Sequence, residues 1–209
     1  MKILVTGFEP FGGNTSNPSA MAAGLLPDCI AGADIIKRIL PVVFERAADQ
    51  LIDFIHGYSP DAVVCTGLAG GRKAITPELI AVNLKNARIP DNEGQQPEWE
   101  KILPGGEDRL FTSLPVKEMT GAMAIKEIPA EISCNAGTFV CNEVMYRLLA
   151  CRNKEHPGMM AGFIHVPFAT EYLSYGNDAF SLPIQQIAEA LEICVREVVK
   201  ATYGADKAL

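Results

Sequence analysis

Cys141 lies in the stretch AGTFVCNEVMYRLL, where small and β-prone residues give way to an amphipathic run. The pattern predicts a helix start with Thr138 as its cap and Cys141 in the first turn. Free backbone N–H groups and the helix dipole favour a thiolate there, and the same N–H groups can hold an oxyanion. The competing account is packing, because buried cysteines are common core residues, and pattern alone favours it. The other cysteines are at 29, 65, 134, 151 and 194. Cys65 and Cys194 have apolar neighbours and read as core. Cys29 and Cys151 stand at element ends and read as partly exposed, and Cys134, beside Asn135, passes for a reactive thiol.

A cysteine nucleophile needs a base and a group that orients the base. There are three histidines, at 56, 156 and 165. His56 precedes Gly57 at a helix end, and His156 falls in the loop RNKEHPG. His165 ends the apolar run AGFIH, so a strand can deliver it to a ligand-binding edge as a general base. A buried histidine bonded to a carbonyl is an equal reading. Glu78, in ITPELIAVN, follows a glycine-rich loop and stands at the head of an apolar segment. It is either a solvated strand end, the simpler reading, or a carboxylate held by a partner.

The elements that must position these groups alternate between strand and helix patterns. Strands are expected at Lys2–Thr6, Ile35–Leu40, Ala62–Thr66, Glu78–Leu84, Ala130–Ser133 and Met160–Val166. Helices are expected at Pro18–Leu26 (capped by Asn17), Phe44–Tyr58, Val116–Glu127, from Cys141 onward, and at Leu182–Ala201. The segment RIPDNEGQQP is rich in turn residues. The alternation predicts an α/β fold: one domain over residues 1–209, a three-layer α/β/α sandwich around a twisted, mostly parallel (mixed) sheet. Ligands of such sheets sit beyond the carboxyl ends of the strands, so the loops GFEPFGG and GLAGGRKA and the end of GFIHV should share one edge.

At 209 residues and a net charge of -7, with basic residues scattered, the chain lacks the footprint that nucleic acid or an anionic membrane requires. The opening MKILVTGF lacks a signal-peptide pattern, and no stretch is long and apolar enough to span a bilayer. A cytoplasmic protein with reduced thiols is expected. No C-x-x-C pair or zinc-type spacing occurs, so neither metal nor cofactor is expected. Read only as phosphate cradles, the glycine-rich loops would suit a nucleoside phosphorylase, a weak signal without a complete motif.

Five motifs occur in order: TGFEPFGG with NPS, GGRKAITPE-x-x-AVN, ARIPDNEGQQP, AGTFVCNEVMY and GFIHVPF. In this the chain resembles the pyroglutamyl peptidase I family, the pyrrolidone-carboxylate peptidases, which are cysteine peptidases. The resemblance implies hydrolysis of the amide bond after an N-terminal pyroglutamyl residue of peptides, through a Cys141–His165–Glu78 triad and an acyl-enzyme. It implies that Arg88 supports the oxyanion hole and that Phe8, Phe11, Ile89, Phe139 and Val140 form the lactam pocket, with Val42 where some relatives carry threonine. It also implies a homotetramer. The chain departs from the family pattern at Leu68, commonly glutamine, and at Leu79, commonly basic. These departures motivate an alternative, a catalytically weakened protein that binds pyroglutamyl peptides.

Overall fold

The computed structural model describes residues 1–173 and 178–205. Strands run at Lys2–Phe8 (β1), Cys29–Ile30 (β2), Ala33–Leu40 (β3), Ala62–Leu68 (β4) and Thr76–Pro77 (β5). They continue at Ile80–Val82 (β6), Arg109–Phe111 (β7), Met160–Val166 (β8), Phe168–Ala169 (β9) and Ser181–Leu182 (β10). The helices are Pro18–Leu25 (α1), Arg46–Tyr58 (α2), Val116–Ile125 (α3), Val140–Glu155 (α4) and Ile184–Ala205 (α5).

The main sheet has the order β2-β3-β1-β4-β8-β5. Its central pairings β3–β1–β4–β8 are parallel, and the short edge strands β2 and β5 are antiparallel, so the sheet is mixed as expected. Successive side chains of a strand point to opposite faces. Ile3, Val5, Val64, Ile164 and Val166 enter one apolar core with residues of α1, α3 and α5. Leu4, Val63, Cys65, Ala161 and Phe163 enter a second core with residues of α2 and α4. A strand buried on both faces must be apolar throughout, which explains AVVCT at the sheet centre.

Helix α1 lies directly on β1. A Cβ on Gly7 would stand 2.4 Å from the Ala20 Cα, so only glycine permits this approach. Asn17 caps α1, its side chain accepting from the Ser19 N–H as expected, and the Ser19 hydroxyl accepts from the Phe8 N–H at 3.1 Å. The loop after β1 is thereby tied to the helix that follows it.

Four expectations need correction. The segment expected as a strand over Glu78–Leu84 is a strand only at β6; Glu78 and Leu79 form an irregular step between β5 and β6. Ala130–Ser133 makes only isolated bridges, Ile75 with Ala130 and Glu78 with Ser133, because Pro77 between them has no N–H to donate to a continuous ladder. Ser181 and Leu182 pair with β9 rather than opening α5. Cys151 is 8% exposed and internal to α4, which continues to Glu155, so it is core-packed rather than part-exposed. Cys65 and Cys194 are buried, and Cys29 and Cys134 are exposed.

Candidate active site

The strand alternation decides which groups meet. Residues 161, 163 and 165 of β8 share one face, as do 63, 65 and 67 of β4, and this is the face covered by α4. Gly67 is the register partner of His165 across the β4–β8 pair. A Cβ on Gly67 would stand 2.9 Å from the Cys141 Sγ and 2.8 Å from the Phe163 ring. The sulfur therefore rests over the bare backbone of Gly67, next to the strand position that carries His165. Gly67→Ala is expected to push the thiol aside and lower kcat/KM roughly a hundredfold, the usual effect of about 1 Å of misplacement. Steady-state kinetics beside circular dichroism checks this, and an unchanged kcat/KM would remove Gly67 from the account.

Cys141 is held at the start of α4 by its neighbours rather than by a capping side chain. Phe139 occupies the cap position, and the Thr138 hydroxyl donates to the Asn86 carbonyl at 2.7 Å, so the expected Thr138 cap is not formed. The fully buried Asn142 fixes the helix start instead. Its amide oxygen accepts from the Val82 N–H at 3.0 Å, and its amide nitrogen donates to the Val82 and Leu84 carbonyls at 2.9 and 3.0 Å. Cys141 falls at the second helical position, where the backbone N–H has no i−4 carbonyl to bond.

His165 is 4% exposed, and its Nδ1 lies 2.7 Å from Oε1 of a fully buried Glu78. The same oxygen lies 2.7 Å from Arg72 Nη1. Arg72 also donates to the Thr76 hydroxyl at 2.5 Å and to the Asn135 carbonyl at 2.7 Å. Glu78 is thus no solvated strand end. Burial opposes its ionisation, but the hydrogen bond and charge of His165, with the Ser133 hydroxyl and Arg72, outweigh it and hold the carboxyl below its usual range. Nothing in the sequence marks Arg72 as a site residue beyond the glycine pair before it in GGRKA.

Burial lowers the His165 pKa against the pull of Glu78. Burial, reinforced by the charge of Glu78, pushes the Cys141 thiol up to about 12. Enclosure thus works against the helix dipole, and burial favours the neutral thiol and the neutral imidazole. The acid limb of kcat/KM should accordingly fall below pH 6.5, the ordinary imidazole value, with no alkaline limb from thiol ionisation up to pH 10. A pH–rate profile checks this, and an acid limb above pH 7 would contradict it. Stability follows the same sign. Glu78 and His165 both have depressed folded-state pKa values, so the unfolded chain binds more protons at these two groups, and their contribution to stability is full above about pH 6.5 and falls on acidification.

A cavity of about 390 Å³ opens at the carboxyl ends of β1, β4 and β8, as the fold rule requires. Phe8, Phe11, Val42, Leu68, Arg72, Arg88, Phe139, Val140, Cys141 and His165 are among its lining residues. The Phe11 and Phe139 rings lie 6.2 Å apart, and Phe44 braces Phe139 edge-on at 5.2 Å. Ile89 is not among the lining residues. It is 46% exposed and packs beside the Gly12 turn, next to Phe11. Arg88 comes from the turn-rich segment, which Asp91 organises by accepting the Phe44, Glu93 and Gln95 N–H groups at 2.9, 2.9 and 2.8 Å. Leu79 packs against the core shared by α1, α3 and α5, which accounts for an apolar residue there.

A second cysteine–histidine–glutamate grouping lies at the other end of α4, around Cys151. Its His56–Glu155 pair is half-exposed, so water screens the carboxylate that would have to orient a base. Of the two groupings, the one at Cys141 joins a shielded carboxylate–imidazole pair to a thiol inside an aromatic-walled cavity. Such an arrangement can carry out nucleophilic acyl transfer.

The sequence pattern of the pyroglutamyl peptidase family matches residues 1–201. A pyrrolidone-carboxylate peptidase of Clostridium perfringens is 43% identical over 199 residues, covering 95% of this chain and 93% of its own. One from Enterococcus faecalis is 44% identical over 200 residues, covering 96% and 94%. Among solved structures, pyroglutamyl peptidase I from Bacillus amyloliquefaciens superposes with a TM-score of 0.90 at 42% identity, covering 94% of this chain and 93% of the other. A mutant pyrrolidone carboxyl peptidase from Pyrococcus furiosus superposes with a TM-score of 0.92 at 39% identity, covering 96% and 99%.

Proposed function

This chain belongs to the pyroglutamyl peptidase family, and we propose that it is a cysteine exopeptidase that hydrolyses the amide bond after an N-terminal pyroglutamyl residue of peptides. The single observation that carries this reading is the buried Glu78–His165 pair beside a thiol in an aromatic-walled cavity.

Cys141 attacks the pyroglutamyl carbonyl as His165 Nε2 takes the thiol proton. Glu78, bonded to Nδ1, holds that tautomer and stabilises the imidazolium. The Cys141 N–H and Arg88 receive the oxyanion, and His165 returns the proton to the leaving amine. Water then cleaves the thioester to release free pyroglutamate. The Phe8, Phe11, Phe139 and Val140 walls suit a small, flat, uncharged lactam, which lacks the free amine that other aminopeptidases grip. Residues 1–209 act as one such domain.

The test is release of the amine from a pyroglutamyl amide, beside prolyl and glutamyl amides of the same amine. Cleavage of the pyroglutamyl compound alone, abolished by exhaustive iodoacetamide, is expected. Equal cleavage of all three, or of none, would sink the reading. Binding of pyroglutamyl peptides without turnover, restored by Leu68→Gln, is what the weakened binder would show instead.

Among the described residues, no helix is long and apolar enough to cross a membrane. A cytoplasmic location is kept as the expectation of the sequence reading, and a homotetramer is carried over from the family resemblance, the latter checked by sedimentation equilibrium.

A further inference from the structure

The last turns of α2 and α4 bring four donor groups together outside the cavity. His56 comes from α2, Cys151 and Glu155 lie one turn apart on α4, and His156 is the residue that ends α4. One ligand atom from each lies within 4.8 Å of all the others. His56 Nε2 is 3.2 Å from Glu155 Oε2, and the two histidine rings are 6.0 Å apart between centroids. Independently, His156 keeps a buried Nε2 with no hydrogen-bond partner in the protein. Buried ring nitrogens are rarely left so, and a ligand is one way to satisfy them.

We propose that His56, Cys151, Glu155 and His156 form a binding site for a divalent cation of the zinc class, which clasps the ends of α2 and α4. The donor set selects the ion. Thiolate with imidazole suits zinc and its borderline neighbours, whereas magnesium and calcium take oxygen ligands. A tetrahedral zinc ion with ordinary bond lengths spaces its donors about 3.5 Å apart. Rotation of the half-exposed His56 and Glu155 side chains would draw their donors toward that spacing. On binding, the Cys151 thiol releases its proton to solvent and the sulfur donates to the metal. Ten residues of α4 separate Cys151 from Cys141, about 15 Å along the helix, so this site is distinct from the catalytic cavity. The sequence does not advertise it, because His56 is distant in the chain and the α4 donors follow no familiar zinc spacing.

The test uses full-length protein carrying Cys141→Ala, which removes the cavity thiol as a competing ligand. Equilibrium dialysis should show one equivalent of Zn²⁺, and Co²⁺ should bind with a thiolate-to-metal absorption band. Adding Cys151→Ser or His156→Ala should weaken Zn²⁺ binding at least tenfold, and Cys151→Ser should also abolish the band. His56→Ala, at the half-exposed end, tests the same prediction should the buried substitutions unfold the protein. Absence of stoichiometric binding, or binding weakened less than tenfold by His56→Ala, overturns the site.

Discussion

Glu78→Gln is expected to lower kcat/KM by roughly a thousand- to ten-thousandfold while leaving the cavity in place. The carboxylate lies 2.7 Å from His165 Nδ1 and dictates that this nitrogen carries the proton. A glutamine can turn its NH2 toward the ring, which moves the proton to Nε2 and leaves no base to face the thiol. Amide substitution of the orienting carboxylate in a catalytic triad has an effect of this size. The substitution also strips Arg72 of its buried counter-charge. Breaking a buried pair costs about 3–5 kcal/mol, and the lower end applies because Arg72 keeps its bonds to Thr76 and Asn135. Kinetics and thermal denaturation measured together separate the two effects. A folded Glu78→Gln protein with near-normal kcat/KM would refute the orienting role.

Cys141→Ala should remove turnover more completely, by roughly 10⁴–10⁶ in kcat, because no other group can form the thioester. Its fold should survive. The sulfur packs over Gly67 between the sheet and α4, and an alanine there removes one atom without exposing an unpaired polar group. Cys134→Ser is the control. Cys134 is exposed and resembled a reactive thiol in the sequence, yet it is not among the residues lining the cavity, so its replacement should leave kcat/KM within about twofold. Amide assays on the two variants check both statements. Turnover by Cys141→Ala within about a hundredfold of the unsubstituted protein would contradict the assignment.

The fold was legible where periodicity was strong. The wholly apolar β4 announced a sheet centre, Asn17–Pro18 announced the start of α1, and β8 has the predicted bounds. The irregular middle of the chain was not legible, because Glu78 and Leu79 are held by tertiary contacts rather than by a regular ladder. The Glu78 N–H bonds the Phe163 carbonyl at 2.9 Å, and the Leu79 N–H bonds the Ser133 carbonyl at 2.7 Å. No local pattern encodes such pairings.

The site divides in the same way. Residue type and position made Cys141 and His165 candidates, and the ordered motifs made them partners. Glu78 looked solvated because a carboxylate at a strand head is buried only if distant residues cover it, and Arg72 and His165 do so. The thiolate expected at the helix start is opposed for a related reason. A helix terminus is visible in a sequence, but the enclosure that raises the thiol pKa comes from the sheet beneath it. Asn142 shows the reverse case, a polar residue whose neighbours in the sequence gave no hint that it locks the start of α4 to β6.

The central claim is that Cys141 is the nucleophile. Its most direct test is peptide mapping after reaction with an electrophilic pyroglutamyl compound, such as a pyroglutamyl chloromethyl ketone. The account predicts one adduct per chain, on the peptide containing Cys141, formed more slowly in Glu78→Gln and absent in Cys141→Ala. An adduct on Cys151 or any other cysteine, with Cys141 unmodified, would contradict it.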